Sequence, residues 1–393
     1  MRVLSFAYCF PSGENPTWGV FVLQRLEALA KQVDLEVASP VPVFPLVTRL
    51  RQRLPEPVEV VRGLTVHHPR FFYVPGVLKH LDGYFYGRGC EGWMTEYVRR
   101  RRPDLLDAHF VWPDGVGVAR LARRFEIPYV ITLRGKILEH MQFPKDRRQC
   151  AEALRGAAAV ISVSGPMADV AADMGVPRDC LHVIPNGVDL ERFAPRDRLE
   201  ARRALGLPLD GRLLVTVAHL KVTKGHGEVV EALARLPADV RLVIVGGDLD
   251  RGQYRAALAG TIRRLGLGDR IDLVGRQPYD RVPLYLSAAD VVVLASYREG
   301  CPNVVLEGLA SGRPVVATRV GAVPDLVFAG ENGVMVPVRD AGALADGLAE
   351  VLARSWSAEA VRASRSVRSW EDVAAQVKQV FDQVVSDGSG SRG

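Results

Sequence analysis

The chain has 393 residues, enough for two domains of ordinary size, and its 48% hydrophobic and 24% charged residues are those of a globular protein able to bury two full sheets. No run approaches the ~18 apolar residues of a membrane span. The five cysteines, Cys9, Cys90, Cys150, Cys180 and Cys301, are scattered without Cys-x-x-Cys spacing, which fits reduced thiols in the cytoplasm and neither a disulfide framework nor a zinc site. The net charge of +6 admits anionic partners, but 44 of the 51 basic residues are arginine and no aromatic residues interleave with the basic run Arg99 to Arg102, so nucleic acid is not an expected partner.

Met1 to Phe10 holds too short an apolar run for a secretory core and reads as the first strand. Phe10 to Val22 joins it to a helix starting near Gly19, where the absent side chain lets a substrate approach the backbone. Arg99 to Arg102 stands before Pro103 at the end of a predicted helix, where cations are favourable against the dipole; contact with anionic lipid headgroups is the alternative. Leu105 to His109, Val116 to Phe125 and Tyr129 to Thr132 then read as strand, helix and strand, the rhythm of βαβ units. Cys180 to Ile184 and the turn-rich Pro185 to Asp189 close this series, and a second one runs through Arg212 to Val217, Arg241 to Gly246 and Arg270 to Gly275. The fold class is therefore α/β, with two Rossmann-like, doubly wound domains over 1–190 and 196–370 that meet at a hinge within 186–200. Glu371 to Val385 reads as a final helix, and 386–393, rich in Ser and Gly, is expected to be disordered.

The chemistry concentrates after the strands of the second series. Lys224 follows a buried strand and precedes a helix beginning near His226, at a strand's carboxyl end, where open α/β sheets hold ligands. Asp290 to Ala295 is apolar and β-branched, as a strand buried on both faces should be, and Val315 to Thr318 is the next such strand. Between them, Glu299 lies just past the first strand. Pro302 suits a first helical turn and Gly312 a stop, so Glu307 sits on the intervening helix about one turn in. Backbone N–H groups at Gly300, Cys301 and Asn303 point at whatever fills the crevice, and a helix amino end favours an anion there.

Glu299-Gly-Cys-Pro-Asn-Val-Val-Leu-Glu307, followed by Ala310-Ser-Gly-Arg-Pro-Val-Val-Ala317, resembles the signature of the GT4 family of retaining glycosyltransferases, which have the GT-B fold. The resemblance implies two domains facing across a cleft, with the nucleotide-sugar donor on the second and the acceptor on the first. It implies that Glu299 contacts donor-sugar hydroxyls, that Glu307 binds the ribose, and that Gly300, Cys301, Asn303 and Val304 border the donor. Ala218-His-Leu-Lys-Val-Thr-Lys-Gly225 stands where the family reads Gly-Arg-Leu-x-x-x-Lys-Gly with both cations on the pyrophosphate. His219 replaces that arginine here, and a neutral imidazole offers one hydrogen bond without permanent charge or forked geometry. Lys224 is thus the main cation expected beside the departing diphosphate. Gly275 and Arg276 match positions that hold the nucleotide base through the backbone.

In the first domain the resemblance places His109 facing the donor sugar, making it catalytic beside Lys224 and Glu299, and gives Gly19 and Arg134 to the acceptor. The Pro185-Asn-Gly-Val-Asp189 segment also matches the family's interdomain connection, and the final helix is expected to cross back onto the first domain. The implied reaction is metal-independent transfer of a sugar to an acceptor hydroxyl in polysaccharide, glycolipid or cell-envelope glycan synthesis, with same-face attack and no cofactor beyond the donor. The acceptor is a glycan, a lipid-linked saccharide or a small polyol. The expected location is the cytoplasm, with peripheral contact at the inner membrane face as an additional expectation. Asp248-x-Asp250 has the spacing of a metal-binding pair, which the parallel fold pattern disfavours. Two alternatives stay open: a glycoside hydrolase with Glu299 and Glu307 as acid and base, and a nucleotide-sugar-binding protein without catalysis.

Overall fold

A computed structural model describes residues 1–393 apart from 14, 15, 17, 45–53, 75, 77, 136, 249–251 and 391–393. The chain forms two compact units, one of Met1–Asn186 with Trp370–Gly393 and one of Gly187–Ser369. The first unit ends inside the turn-rich segment that the sequence marks, and its last helix belongs with it.

The strands of the first unit are β1 (Arg2–Phe6), β2 (Asp34–Ala38), β3 (Val41–Val43), β4 (Val58–Val61), β5 (Leu64–His67), β6 (Arg70–Phe72), β7 (Leu105–His109), β8 (Tyr129–Leu133), β9 (Ala159–Ser162) and β10 (Leu181–Val183). Among the described residues the main sheet has the order β10-β9-β8-β7-β1-β2-β5-β4, and β3 pairs β6 separately. Only the β4–β5 pair of the main sheet is antiparallel. Strand order reverses between β1 and β7, which is the point where such sheets open a ligand crevice.

Period-two alternation sorts the side chains of this sheet. Val3, Leu105, Val130 and Ile161 face one core, which the helices Val20–Ala30 and Trp370–Gly390 cover with Val22, Leu26, Leu29, Val373, Val377 and Phe381. Leu4, Phe6, Leu106 and Ala108 are buried on the other face, where Phe6 meets Trp93 of the helix Asp82–Arg100 edge to face. The final helix is thus part of the first unit's core. It runs to Gly390, past the boundary at 385 that the Ser/Gly-rich composition implied for a disordered tail. Extending an anchored helix needs no new nucleus, and Ser386 Oγ donates to the Asp382 carbonyl on the way.

The second unit holds β11 (Arg212–Val217), β12 (Val240–Val245), β13 (Ile271–Gly275), β14 (Val291–Leu294), β15 (Val315–Thr318) and β16 (Gly333–Val336). Their order, β13-β12-β11-β14-β15-β16, is the 3-2-1-4-5-6 winding of a dinucleotide-type fold, with every pairing among the described residues parallel. The strands are apolar on both sides because both faces are covered. Val215, Val292, Leu294 and Val315 pack under the helices Val282–Ala288 and Asn303–Ala310. Leu214, Val291, Val293 and Val316 pack under His226–Leu233 and Ala341–Leu352.

The amino ends of these strands carry a buried ionic clamp. Arg202, 1% exposed, pairs with Asp290 at 2.7 Å and also donates to the Ala288 carbonyl at 3.1 Å. Its Nη1 reaches the carbonyls of Pro208, Leu209, Asp210 and Gly211, fixing the entry to β11. The second Asp290 oxygen is held by Arg198. Of the basic run in the first unit, Arg101 pairs with Asp34 and Glu36, and Arg102 donates to the Phe125 and Glu126 carbonyls. Arg99 pairs with Glu96 at 2.9 Å, so the run largely ties the end of its helix to the fold. Among the described residues no helix is long and apolar enough to cross a membrane.

Phe381 is wholly buried between the first helix and the sheet, and truncating such a ring typically costs about 3–5 kcal/mol. Phe381→Ala is expected to remove that much from the first unit's unfolding free energy, read by urea denaturation, with the second unit's transition unmoved.

Candidate functional site

The strand order of the second unit reverses between β11 and β14, and the loops leaving these two strands bring Lys224 and Glu299 together. Lys224 ends the tight turn Val222–Lys224 after β11, and Glu299 lies beyond β14. The Lys224 ammonium donates to Glu299 Oε1 at 2.6 Å, with side chains 26% and 14% exposed. A half-buried ion pair of this kind is a charge-assisted hydrogen bond that fixes both side chains in place.

Local geometry accounts for the approach. Gly225 has φ +68°, and a Cβ there would lie 2.0 Å from the Ala295 carbonyl oxygen, so only glycine lets the helix His226–Leu233 start against the end of β14. Tyr297 N donates to the Thr223 carbonyl at 2.9 Å, stitching the two loops together. Thr318 Oγ1 donates to the Ser296 carbonyl at 2.6 Å and braces the second loop from β15. The helix Asn303–Ala310 starts straight after Pro302, so its positive end opens beside Glu299.

The other predicted donor-side residues are distributed around this pair. His219 is exposed, and partial desolvation, with the neighbouring Lys224 and Arg276 charges, holds its imidazole below the ordinary range despite a hydrogen bond to Gly247. Its carbonyl accepts from the buried His226 Nε2 at 3.1 Å. These surroundings favour the neutral form of His219.

Glu307 is buried at 9% exposure and accepts from the Tyr279 hydroxyl at 3.1 Å. Burial pushes its carboxyl up to about 7, against the opposing effects of that hydrogen bond and of Arg192. Arg192 stacks over the Tyr279 ring at 5.1 Å, so these three side chains, brought from three segments, form a second polar group.

Gly300 accepts from Ala322 N at 2.8 Å. Cys301 and Val304 pack partly into the core below, and Asn303 opens the helix. Gly275 and Arg276 lie farther out, at the end of β13, two strands or about 10 Å from the reversal point. Asp248 accepts from Arg255 at 3.1 Å, and Asp250 lies outside the described residues.

In the first unit the predicted residues gather at the matching reversal between β1 and β7. Gly19, with φ +75°, brings the first loop back until a Cβ would lie 2.2 Å from the Cys9 carbonyl oxygen. His109 is fully buried and joins a network that the sequence analysis did not foresee. Asp107 Oδ2 faces His109 Nε2 at 3.0 Å and accepts from Ser5 at 2.6 Å, while Arg25 stands 3.7 Å from Asp107 Oδ1. Asp107 and His109 are two apart on β7 and hence on one face, and Ser5 is the register partner of Asp107. That alternation was the available signal; nothing marked Arg25 on its helix.

Burial pulls the His109 imidazole down to about 4, so it is neutral at pH 7. Its Nε2–H then donates to the Asp107 carboxylate; burial opposes that group's ionisation, but the interaction with His109, the Arg25 charge and the hydrogen bonds from His109 and Ser5 hold it well below the ordinary carboxylate range. Nδ1 faces Arg134 Nη2 at 3.5 Å, and Arg134 also donates to Asn186 at 3.0 Å while lying 4.8 Å over Phe21. The structure thus unites His109 with Arg134, but with both imidazole nitrogens engaged inside the unit.

The comparisons with known proteins agree with this architecture. The Glycosyltransferase Family 4 description matches residues 19–192, and the Glycosyl transferases group 1 description matches residues 197–370. A Bacillus subtilis glycosyltransferase, TuaC, whose name assigns it to teichuronic acid biosynthesis, is 32% identical over 364 residues, covering 88% of each chain. A D-inositol 3-phosphate glycosyltransferase of Xylanimonas cellulosilytica is 29% identical over 95% of this chain and 93% of its own. Among solved structures, Anabaena Alr3699/HepE in complex with UDP superposes with a TM-score of 0.74 at 22% identity, covering 99% of this chain and 100% of that one. The hydrolase alternative falls here, because both halves match glycosyltransferase families. The chain belongs to the GT4 family of glycosyltransferases and is an enzyme of the GT-B fold.

Proposed function

We propose that the chain is a retaining, metal-independent glycosyltransferase that takes a sugar from a nucleotide diphosphate bound on the second unit and passes it to an acceptor hydroxyl held on the first. The observation that carries this is the 2.6 Å Lys224–Glu299 pair at the strand-order reversal. On donor binding the ammonium exchanges its carboxylate for the diphosphate, and Glu299 turns to the sugar hydroxyls. Each group trades one charged partner for another polar one, so little charge is stranded. As the sugar–phosphate bond breaks, negative charge grows on the departing oxygen, where Lys224 and the amide-rich start of the helix Asn303–Ala310 stabilise it. His219 hydrogen-bonds the diphosphate, whose charge raises its proton affinity. The leaving oxygen takes the acceptor proton on the same face, preserving anomeric configuration.

Glu307 holds the ribose, and Gly275 with Arg276 borders the base. Gly19, Arg134 and His109 position the acceptor side, with Arg134 moving off His109 when substrate enters. The HepE structures with UDP and with UDP-glucose support a nucleotide-sugar donor. TuaC's name supports a role in envelope polysaccharide, and that of the Xylanimonas relative a small polyol acceptor. The five cysteines carry thiols rather than disulfides, which supports a reducing compartment, the cytoplasm.

Lys224→Ala and Glu299→Ala are each expected to lower acceptor-dependent nucleotide release at least about a hundredfold, since loss of a preorganised charge partner typically costs ~3 kcal/mol in barrier. The double variant should be little worse than the poorer single one, because the two act as a unit. Near-normal turnover in either single variant would overturn the assignment.

The buried Glu307 carboxyl sets a pH dependence. With its pKa raised to about 7, it is protonated below neutrality and gains its second acceptor oxygen only above. The donor KM is therefore expected to fall as pH rises through 7, and Glu307→Gln to flatten that profile. Stability runs the other way: a carboxyl whose folded pKa lies above its unfolded value favours the fold at low pH and loses that contribution as pH climbs through 7. Between pH 5 and 8 the melting temperature of the empty wild type should drop relative to that of Glu307→Gln.

A further inference from the structure

The first unit has a pocket of about 240 Å³ beside the β1–β7 reversal, and nothing above assigns it. Tyr8 leaves the end of β1 and Trp112 follows β7, so the pocket opens at the carboxyl ends of the two strands flanking the crevice. Trp112 and the buried Phe71 and Phe110 form an apolar wall. Tyr8, Tyr73, Lys79, Asp82 and His140 bring polar atoms to the lining. This combination of flat aromatic surface and converging hydrogen-bond groups, in a volume near that of one six-membered ring with its hydroxyls, suits a polyhydroxylated ring.

The charges in the pocket decide between a neutral ring and a phosphorylated one. Lys79 lies 3.7 Å from Asp82 and 3.9 Å over the Tyr73 ring, and also donates to the Tyr73 hydroxyl. Its charge is already shared. Asp114 at the base is fully buried and accepts from Tyr8 N at 2.6 Å and the Tyr86 hydroxyl at 2.9 Å. His140, stacked on Trp112 at 5.3 Å, is paired with Asp146 at 3.0 Å. One lysine therefore stands among three carboxylates, and an added phosphate would meet net negative charge at short range. Hydroxyl groups suffer no such repulsion and can donate to Asp82 while accepting from Lys79 and the tyrosines. The Tyr8 phenol, pushed up to about 12 chiefly by burial, keeps its proton for this purpose.

We infer that this pocket seats the acceptor and selects an uncharged, hydroxyl-rich ring, a sugar or cyclitol, against its phosphorylated form. The inference rests on the acceptor role proposed for the first unit and adds the substrate class and the residues that set it. Asp82 and Tyr73 are the specificity-determining pair, one as hydroxyl acceptor and repeller of anions, the other as aromatic side of the cavity.

The test uses the full chain in two assays. Without donor, tryptophan fluorescence is titrated with methyl glucoside, methyl mannoside and myo-inositol, and with glucose 6-phosphate, mannose 6-phosphate and an inositol phosphate. A saturable change with at least one neutral ring is expected, abolished in Trp112→Phe, together with at least about tenfold weaker binding of its phosphorylated counterpart. With whichever of the UDP-, GDP- and ADP-sugars stabilises the protein, the same rings are compared for nucleotide release. There, Asp82→Asn should raise the acceptor KM about tenfold, the loss of one hydrogen bond to a charged group, and Tyr73→Ala should act in the same direction. The thermal shift given by nucleotide should be unchanged in both variants, which excludes misfolding as the cause. Preference for the phosphorylated ring, no saturable change with any neutral ring, or an unaltered acceptor KM in both variants would overturn the inference. Ring binding with no response to any nucleotide sugar would instead overturn the donor reading and leave the pocket assignment standing.

Discussion

An ammonium and a carboxylate 2.6 Å apart, at the place where the second sheet reverses its strand order, are what the rest of this site is built to hold. Each is carried on a loop, and loops are the least rigid part of an α/β fold. The structure compensates by tying those loops to the sheet and to each other, through the close approach at Gly225, the Tyr297 to Thr223 bond and the brace from Thr318. A pair this short and only partly exposed holds both side chains in one geometry. On the proposed reading it also stores them beside the diphosphate and the sugar with little reorganisation left to do.

The same sheet separates stability from chemistry along its strands. At the amino ends, Arg202 and Asp290 form a clamp whose donors and acceptors are almost all used internally, and the loop from Pro208 to Gly211 is pinned by one guanidinium. Removing one partner of such a buried pair strands the other charge, which is why the clamp belongs where nothing has to move. At the carboxyl ends lie the Lys224–Glu299 pair and the amino end of the helix Asn303–Ala310. Glu307 lies between these regimes, buried enough to retain a proton near neutrality yet joined to Tyr279 and Arg192.

The first unit meets the same demand with a different arrangement. Ser5, Asp107, Thr132 and His109 share the face that covers the apolar core, and Arg25 reaches them from the helix above. Burying a carboxylate here is tolerable because a guanidinium, a hydroxyl and an imidazole N–H all converge on it. The network also fixes the imidazole tautomer, leaving Nδ1 toward Arg134. A histidine held in one orientation by a buried acid is a rigid element on which Arg134 can rest.

Much of this was legible in the chain itself. Buried strands such as Arg212–Val217, Val291–Leu294 and Val315–Thr318 announce themselves through apolar runs, and Lys224 and Glu299 stand out because each follows such a run before a helix. Segments without that contrast were not read: the β4–β5 hairpin turns locally at Arg62 and Gly63, the small β3–β6 pair is set by long-range pairing, and the extension to Gly390 continues a helix that is anchored by residues far away in sequence. The role of His109 shows the same limit, since local pattern places it at a strand end but cannot show that Arg25, Asp107 and Arg134 close around it. Local sequence determined which residues carry charge and which strand or turn presents them, because those depend on side-chain chemistry and short-range periodicity. Only the tertiary structure decided which charges meet, which are shielded from water and which protons they keep, because distance and burial are properties of the packed chain.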